Sequence, residues 1–160
     1  MIFINLNIYM FNQSKLQYIF FTRRKLFLQY ISITASLNLV WETLQLPLYT
    51  LWRESTPSAI AFAVLHCTIG DMIIATLSLA TALILVGTPK WPLELFRPVA
   101  LLAITLGVSY TVFSEWNNTV VKSAWSYSSL MPTLWGIGLS PLGQWFIIPA
   151  FVFWYLRPDL

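Results

Sequence analysis

Charge is what this sequence has least of: only 9% of its 160 residues are Asp, Glu, Lys or Arg. A soluble domain carries about 25%, because charged groups are what cover a surface facing water. The shortage therefore excludes an ordinary water-soluble globule and makes lipid the solvent for much of the surface. Cysteine is nearly absent too. The single Cys67 excludes an internal disulfide and any CxxC redox or zinc motif. The net charge of +3 is small and concentrated in one segment, which excludes a nucleic-acid-binding surface. No nucleotide-binding loop, nucleophile elbow or paired metal motif is present, and no cofactor is implied.

What is there is apolar and aromatic. Hydrophobic residues make up 58% of the chain, with eight Trp, seven Tyr and eleven Phe and a mean hydropathy of +0.70. Amphipathic aromatics collect at membrane interfaces. The expected fold is an all-α membrane protein, a four-helix transmembrane bundle. Residues 1–25 read as a cytoplasmic or interfacial tail, with Met10 as an alternative start. There the apolar run precedes the cluster Arg23-Arg24-Lys25, the reverse of a secretory signal. Residues 26–160 form one domain with spans at about 26–48, 58–86, 99–115 and 138–156. Ser58, after Pro57, reads as the start of the second span, and Gly87-Thr88-Pro89-Lys90-Trp91-Pro92 as a turn.

The stretch from Thr119 to Ser140 is polar, aromatic and punctuated by Gly and Pro. It reads as an interfacial or re-entrant loop over the bundle, with Trp125 and Trp135 as candidates to line a substrate mouth. The last span is short for a crossing of roughly 20 residues. An alternative is three helices plus a half-helix starting near Leu134 and broken at Gly138 to Pro141. With both termini inside, Lys15, Arg23, Arg24, Lys25, Lys90, Arg97 and Arg157 are cytoplasmic and only Arg53 and Lys122 face outward, as the positive-inside rule requires. No internal repeat is visible, which argues against an inverted-repeat transporter.

Ionisable groups inside a span cost about 2.5–3.5 kcal/mol each on insertion scales and mark function by default. Glu42, Asp71 and the only histidine, His66, fall within predicted spans, and Glu115 closes the third. With a ~1.5 Å rise per residue, all lie in the outer half, as does Gln144 at the start of the last span. The expected object is a polar pocket open outward and covered by the aromatic loop. Asn38, Glu42 and Gln45 share one helix face. Cys67, Asp71, Ala75, Ser78 and Ala82 form a small-and-polar seam suited to close helix approach, as do Gly107, Thr111, Ser114 and Asn118. His66 and Asp71 lie roughly 140° apart around a helix, so an ideal helix does not aim both into one narrow site unless Gly70 distorts it. Glu42, His66 and Asp71 are the candidate catalytic residues; Asn38, Gln45, Glu115, Asn118, Trp125 and Gln144 are the candidate ligand contacts. Each has a plainer reading: His66 and Asp71 bonded to neighbouring spans, Glu115 solvated at the interface, Cys67 as a small buried hydrophobe. Four such groups on three helices lack the dense spacing of a metal motif, so no metal is expected.

Four blocks of sequence carry a resemblance. Trp41-Glu42-Thr43-Leu44-Gln45-Leu46-Pro47-Leu48-Tyr49, His66-Cys67-Thr68-Ile69-Gly70-Asp71, Ser114-Glu115-Trp116-Asn117 and Gly138-Leu139-Ser140-Pro141-Leu142-Gly143-Gln144-Trp145 resemble a recurring group of small bacterial inner-membrane proteins to which no activity is assigned. The likeness runs from Leu39 to Tyr155. It implies a bacterial inner (plasma) membrane location and no particular reaction. A second likeness, confined to Glu42, Gln45 and Pro47, is to the four-span sterol isomerase and sigma-2 receptor superfamily. There an embedded acid pair acts on amphipathic ligands; no catalytic residue carries over.

Three function classes follow. The first is a protein that binds a lipid, quinone or other amphipathic ligand, or that joins a larger membrane complex or a homo-oligomer. The second is an enzyme doing acid–base chemistry on a lipid-soluble substrate, with Glu42 and Asp71 carrying protons and His66 assisting. The third is a proton-coupled transporter, ranked last for want of a polar path to the cytoplasmic side.

Overall fold

The computed structural model describes the backbone from Ile2 to Pro158 and side chains from Phe21 to Pro158. Lys15 and Met10 lie outside the described side chains. Four long helices pack as a bundle: α1 (Ile2–Gln45), α3 (Pro57–Val86), α4 (Phe96–Trp116) and α5 (Leu139–Leu156), with the single turn α2 (Leu51–Glu54) after α1. α3, α4 with its continuation to Val121, and α5 are long and apolar enough to cross a membrane. α1 packs on α3 and α5, and α4 packs on the same two, so the helices form a closed ring in the order α1, α3, α4, α5.

Boundaries agree with the sequence reading to within a few residues for α3, α4 and α5. At α1 the expected border at Leu26 falls inside a continuous helix that begins at Ile2. Its bundle-facing stripe starts at Leu26 and continues through Tyr30, Thr34, Asn38 and Gln45, close to a fourfold spacing along one helix face. The helix ends before Pro47, which occupies a short 3₁₀ turn over Leu46–Leu48. The cap of α3 is Thr56 rather than Ser58: its hydroxyl accepts from the Ala59 N–H at 3.3 Å, and Pro57 takes the first-turn position where no N–H is needed.

The ring has two chemically different halves. Leu26, Tyr30, Ala75, Leu79, Ala82, Val99, Ala100, Ala103, Val152 and Phe153 fill one end. Small residues on α3 and α4 let those backbones approach, the packing that lipid-embedded helices rely on. At this end Arg23 donates to the carbonyls of Trp91 (2.6 Å) and Thr88 (2.8 Å), fixing α1 to the α3–α4 connection. At the other end the inward residues turn polar: Asn38, Gln45, Thr68, Asp71, Thr111, Glu115 and Gln144.

The segment between α4 and α5 closes that polar end. A π-helical turn, Asn117–Val121, extends α4. The chain then pairs with the end of α1: Thr50 N–H donates to Ser126 O, Ser128 N–H to Leu48 O, and the Ser128 hydroxyl to Pro47 O. Residues 133–138 form a hairpin, β1 (Thr133–Leu134) with β2 (Ile137–Gly138), instead of the half-helix held as an alternative. The reason is local: Trp135 and Gly136 both have positive φ, the geometry of a tight hairpin turn and not of a helix. Trp135 at its tip is 94% exposed, so it does not line the pocket.

Candidate functional site

Gln144 is the hub of the polar end. It enters from the second turn of α5 and is 2% exposed. Its amide nitrogen donates to Asn38 Oδ1 (2.7 Å), Asp71 Oδ2 (2.8 Å) and Glu42 Oε1 (3.1 Å). One NH₂ has two hydrogens, yet three acceptors from two other helices converge on it. Glu42 also accepts from Gln45 Nε2 at 2.9 Å. The Gln45 carbonyl in turn accepts from Ser140 Oγ at 2.8 Å, and that hydroxyl accepts from Trp41 Nε1 at 3.3 Å. The Glu42 and Asp71 carboxyls are brought side by side by this shared donor, and Trp145 lies beside Asp71.

Trp145 is itself held by a neighbour without a side chain. A Cβ placed on Gly107 would sit 2.5 Å from Trp145 Cε3 and Cζ3. The Cε3–Cζ3 edge of the indole therefore abuts the α4 backbone, and Gly107 is what lets α4 and α5 close here.

A second polar group sits beside the first. Glu115, buried on α4, accepts from the Tyr127 hydroxyl, whose oxygen accepts from the Gly138 N–H at 2.9 Å. Tyr127 thus latches the connecting segment to α4 and to the hairpin at once. Trp125 lies beside Glu115 with its indole N–H buried and without a partner. Asn118 points its amide back to Ser114, 2.9 Å to the carbonyl and 3.2 Å to the hydroxyl.

Between these groups is a cavity of about 640 Å³, within the range of small-molecule sites. Glu42, Gln45, Asp71, Gln144, Glu115, Asn118, Trp125 and Cys67 line it. Neither Lys nor Arg is among its lining residues. Asn38 stands behind Gln144, one layer below the lining.

Of the sequence-derived catalytic trio, Glu42 and Asp71 come together and His66 does not join their hydrogen bonds. His66 is exposed at the cavity rim and stacked on Phe62, with centroids 5.7 Å apart. That is where the angular offset from Asp71 sends it on an undistorted helix. Glu115, read as closing a span at the interface, is buried. Tyr127, Ser140 and Trp145 were not singled out by sequence reasoning. Their only signals were composition and the adjacency of Trp145 to Gln144. Among the described residues no group of three His, Cys, Asp or Glu side chains is placed to hold a metal ion.

Burial, reinforced by its bond to Glu115, raises the Tyr127 phenol well above its ordinary value. A raised pKa in the folded state means stability is fully present below the unfolded tyrosine value of about 10 and falls as pH climbs past it. Alkaline unfolding followed by circular dichroism is expected to begin near that pH. Tyr127→Phe is expected to lower stability at neutral pH by about 1 kcal/mol and to flatten the alkaline limb; an unchanged limb would remove Tyr127 as its source.

Comparison with known protein families, curated proteins and solved structures finds no match for this chain.

Proposed function

We propose that the chain crosses the membrane four times with both termini cytoplasmic, and that its outer-half cavity binds a lipid-like or small amphipathic ligand. The observation that carries the reading is the convergence of Asn38, Glu42 and Asp71 on Gln144 beside a largely apolar cavity. A few polar groups in an otherwise apolar hollow orient an amphipathic molecule, its polar end on the carboxyl pair and its tail among aromatic and aliphatic side chains. Orientation is supported by charge. Arg23, Lys90, Arg97 and Arg157 belong to one end of the ring, and Arg53 and Lys122 to the end that carries the cavity. The resemblance to bacterial inner-membrane proteins supports that membrane as the location. Binding within a larger complex is compatible with the same site.

A second reading is favoured by one specific observation, the shared bonding of the Glu42 and Asp71 carboxyls to Gln144 Nε2 at the cavity. A carboxyl pair facing a lipid-accessible cavity has the parts for acid–base chemistry, one group giving a proton while the other accepts. Binding is the primary reading, since no nucleophile or cofactor motif accompanies the pair.

The test is mass spectrometry of small molecules that co-purify with wild type, Glu42→Gln and Asp71→Asn. Both substitutions keep side-chain shape. They are expected to lower retained amphiphile by roughly tenfold, the equivalent of one lost hydrogen bond to a charged partner, with melting changed by only a few degrees. Equal ligand content in all three proteins would falsify the binding role.

A further inference from the structure

We propose that the cavity is filled sideways from the bilayer, through a portal between α3 and α4, so that its ligand is a membrane-dissolved lipophile and not a solute arriving from water. The inference rests on the ligand-binding reading of the cavity and adds its route of entry.

Three observations support it. The first is the character of the rim. Phe62 and Ile73 on α3 and Tyr110 on α4 line the cavity while remaining 69%, 55% and 50% exposed. A side chain that both lines a cavity and faces outward marks an opening, and this opening is framed by apolar and aromatic groups on the flanks of two candidate membrane spans. Such a frame presents no cost to a lipophile leaving the hydrocarbon and no hydrogen bonds to a hydrated solute.

The second observation is Gly70. It lines the cavity, and a Cβ at this position would meet no atom within 4 Å. A glycine inside a helix is less favourable there than alanine. No neighbouring backbone explains it here, in contrast to Gly107 against Trp145. What its missing side chain leaves is free width on the α3 side of the gap, one turn below His66 and beside Asp71.

The third observation is that the aqueous end is strapped shut. The connecting segment is bonded to the end of α1 through Thr50, Ser126, Leu48 and Ser128, and to α4 through Tyr127 and Glu115. Trp125 lines the cavity beneath that strap. These bonds hold the connecting segment across that end, whereas among the described residues no side-chain hydrogen bond joins α3 to α4 across the gap.

Cys67 supplies the probe, being the only cysteine and part of the cavity lining. Wild type and Gly70→Leu are reconstituted in phosphatidylcholine vesicles. Labelling by bilayer-soluble N-cyclohexylmaleimide is compared with labelling by a sulfonated, membrane-impermeant maleimide. The lipophilic reagent is expected to label wild type roughly tenfold faster or more, because it concentrates in the hydrocarbon. Gly70→Leu is expected to slow it by about as much, since four extra carbons fill the gap. Its melting temperature should be unchanged or higher, because Leu is the better helix former.

Faster labelling by the charged reagent, or an unchanged rate in Gly70→Leu, would overturn the portal while leaving the cavity reading standing. Failure of both reagents on folded protein, when denatured protein labels, would overturn the portal and the cavity together.

Discussion

Gln144→Leu is expected to destabilise the bundle by about 3 kcal/mol, the largest effect of any single polar substitution in this chain. Two magnitudes compete. Interhelical hydrogen bonds inside membranes average only about 0.6 kcal/mol each, because the unfolded chain in lipid finds other partners. If that were the whole effect, three lost bonds would cost about 2 kcal/mol. The leucine, however, also leaves the Asp71, Glu42 and Asn38 oxygens facing hydrocarbon, and orphaned buried acceptors cost about 1–3 kcal/mol apiece, more when charged. The orphaning term decides the outcome because the Asn38 side-chain oxygen accepts from Gln144 alone among the described residues, whereas Glu42 keeps Gln45. Reversible unfolding in mixed detergent measures it. A double variant, Gln144→Leu with Asp71→Leu, should recover part of the loss, since removing both partners removes the orphan. A loss below about 1 kcal/mol, or a strictly additive double variant, would show that Gln144 does not hold the carboxyl pair.

Gly107→Leu should prevent the bundle from closing, and Gly107→Ala should cost about 2 kcal/mol. Alanine gains about 0.5–1 kcal/mol of helix propensity over glycine, so the sign depends on space. At 2.5 Å from two ring atoms the new methyl cannot be accommodated without moving Trp145, and a planar indole between two backbones has no soft end to yield. The displaced ring also leaves Asp71, so the change should reduce ligand retention as well as stability. Gly70→Ala is the matched control, with open space around it, and should stabilise slightly. Equal melting temperatures for the two alanine variants would mean that α4 and α5 do not approach through Gly107.

The long apolar helices were legible because charge scarcity and run length are properties of composition, and the ends of α3 were legible from Pro57 and Gly87. The inward faces of α3 and α4 were legible from small residues at fourfold spacing, although the α4 face runs through Glu115 where Ser114 was expected. Glu42 with Asp71 was legible as depth, since their positions along α1 and α3 put both at the same end of the bundle. Their convergence on Gln144 was not, because which helices neighbour one another is a tertiary fact that no periodicity encodes. The hairpin at 133–138 was missed for a different reason. Its turn is Trp135-Gly136, and a tryptophan at positive φ lies outside the Asn-Gly and Asp-Gly signals that announce such turns. Tyr127 was unreadable as a latch because its partners, Glu115 and Gly138, stand on either side of it in the chain and meet only when the segment folds back.

The position of Gln144 on the last helix has a consequence for how the protein is made. In chain order, α1 brings Glu42 and α3 brings Asp71 before the amide that joins them exists. Until Leu139 and the residues after it have packed, the two acids share no common donor. The docking of α5 is therefore registered chemically: it brings the one amide that Asn38, Glu42 and Asp71 share. A chain truncated before Leu139 would carry both acids without that donor, and its bundle would have nothing polar to close on.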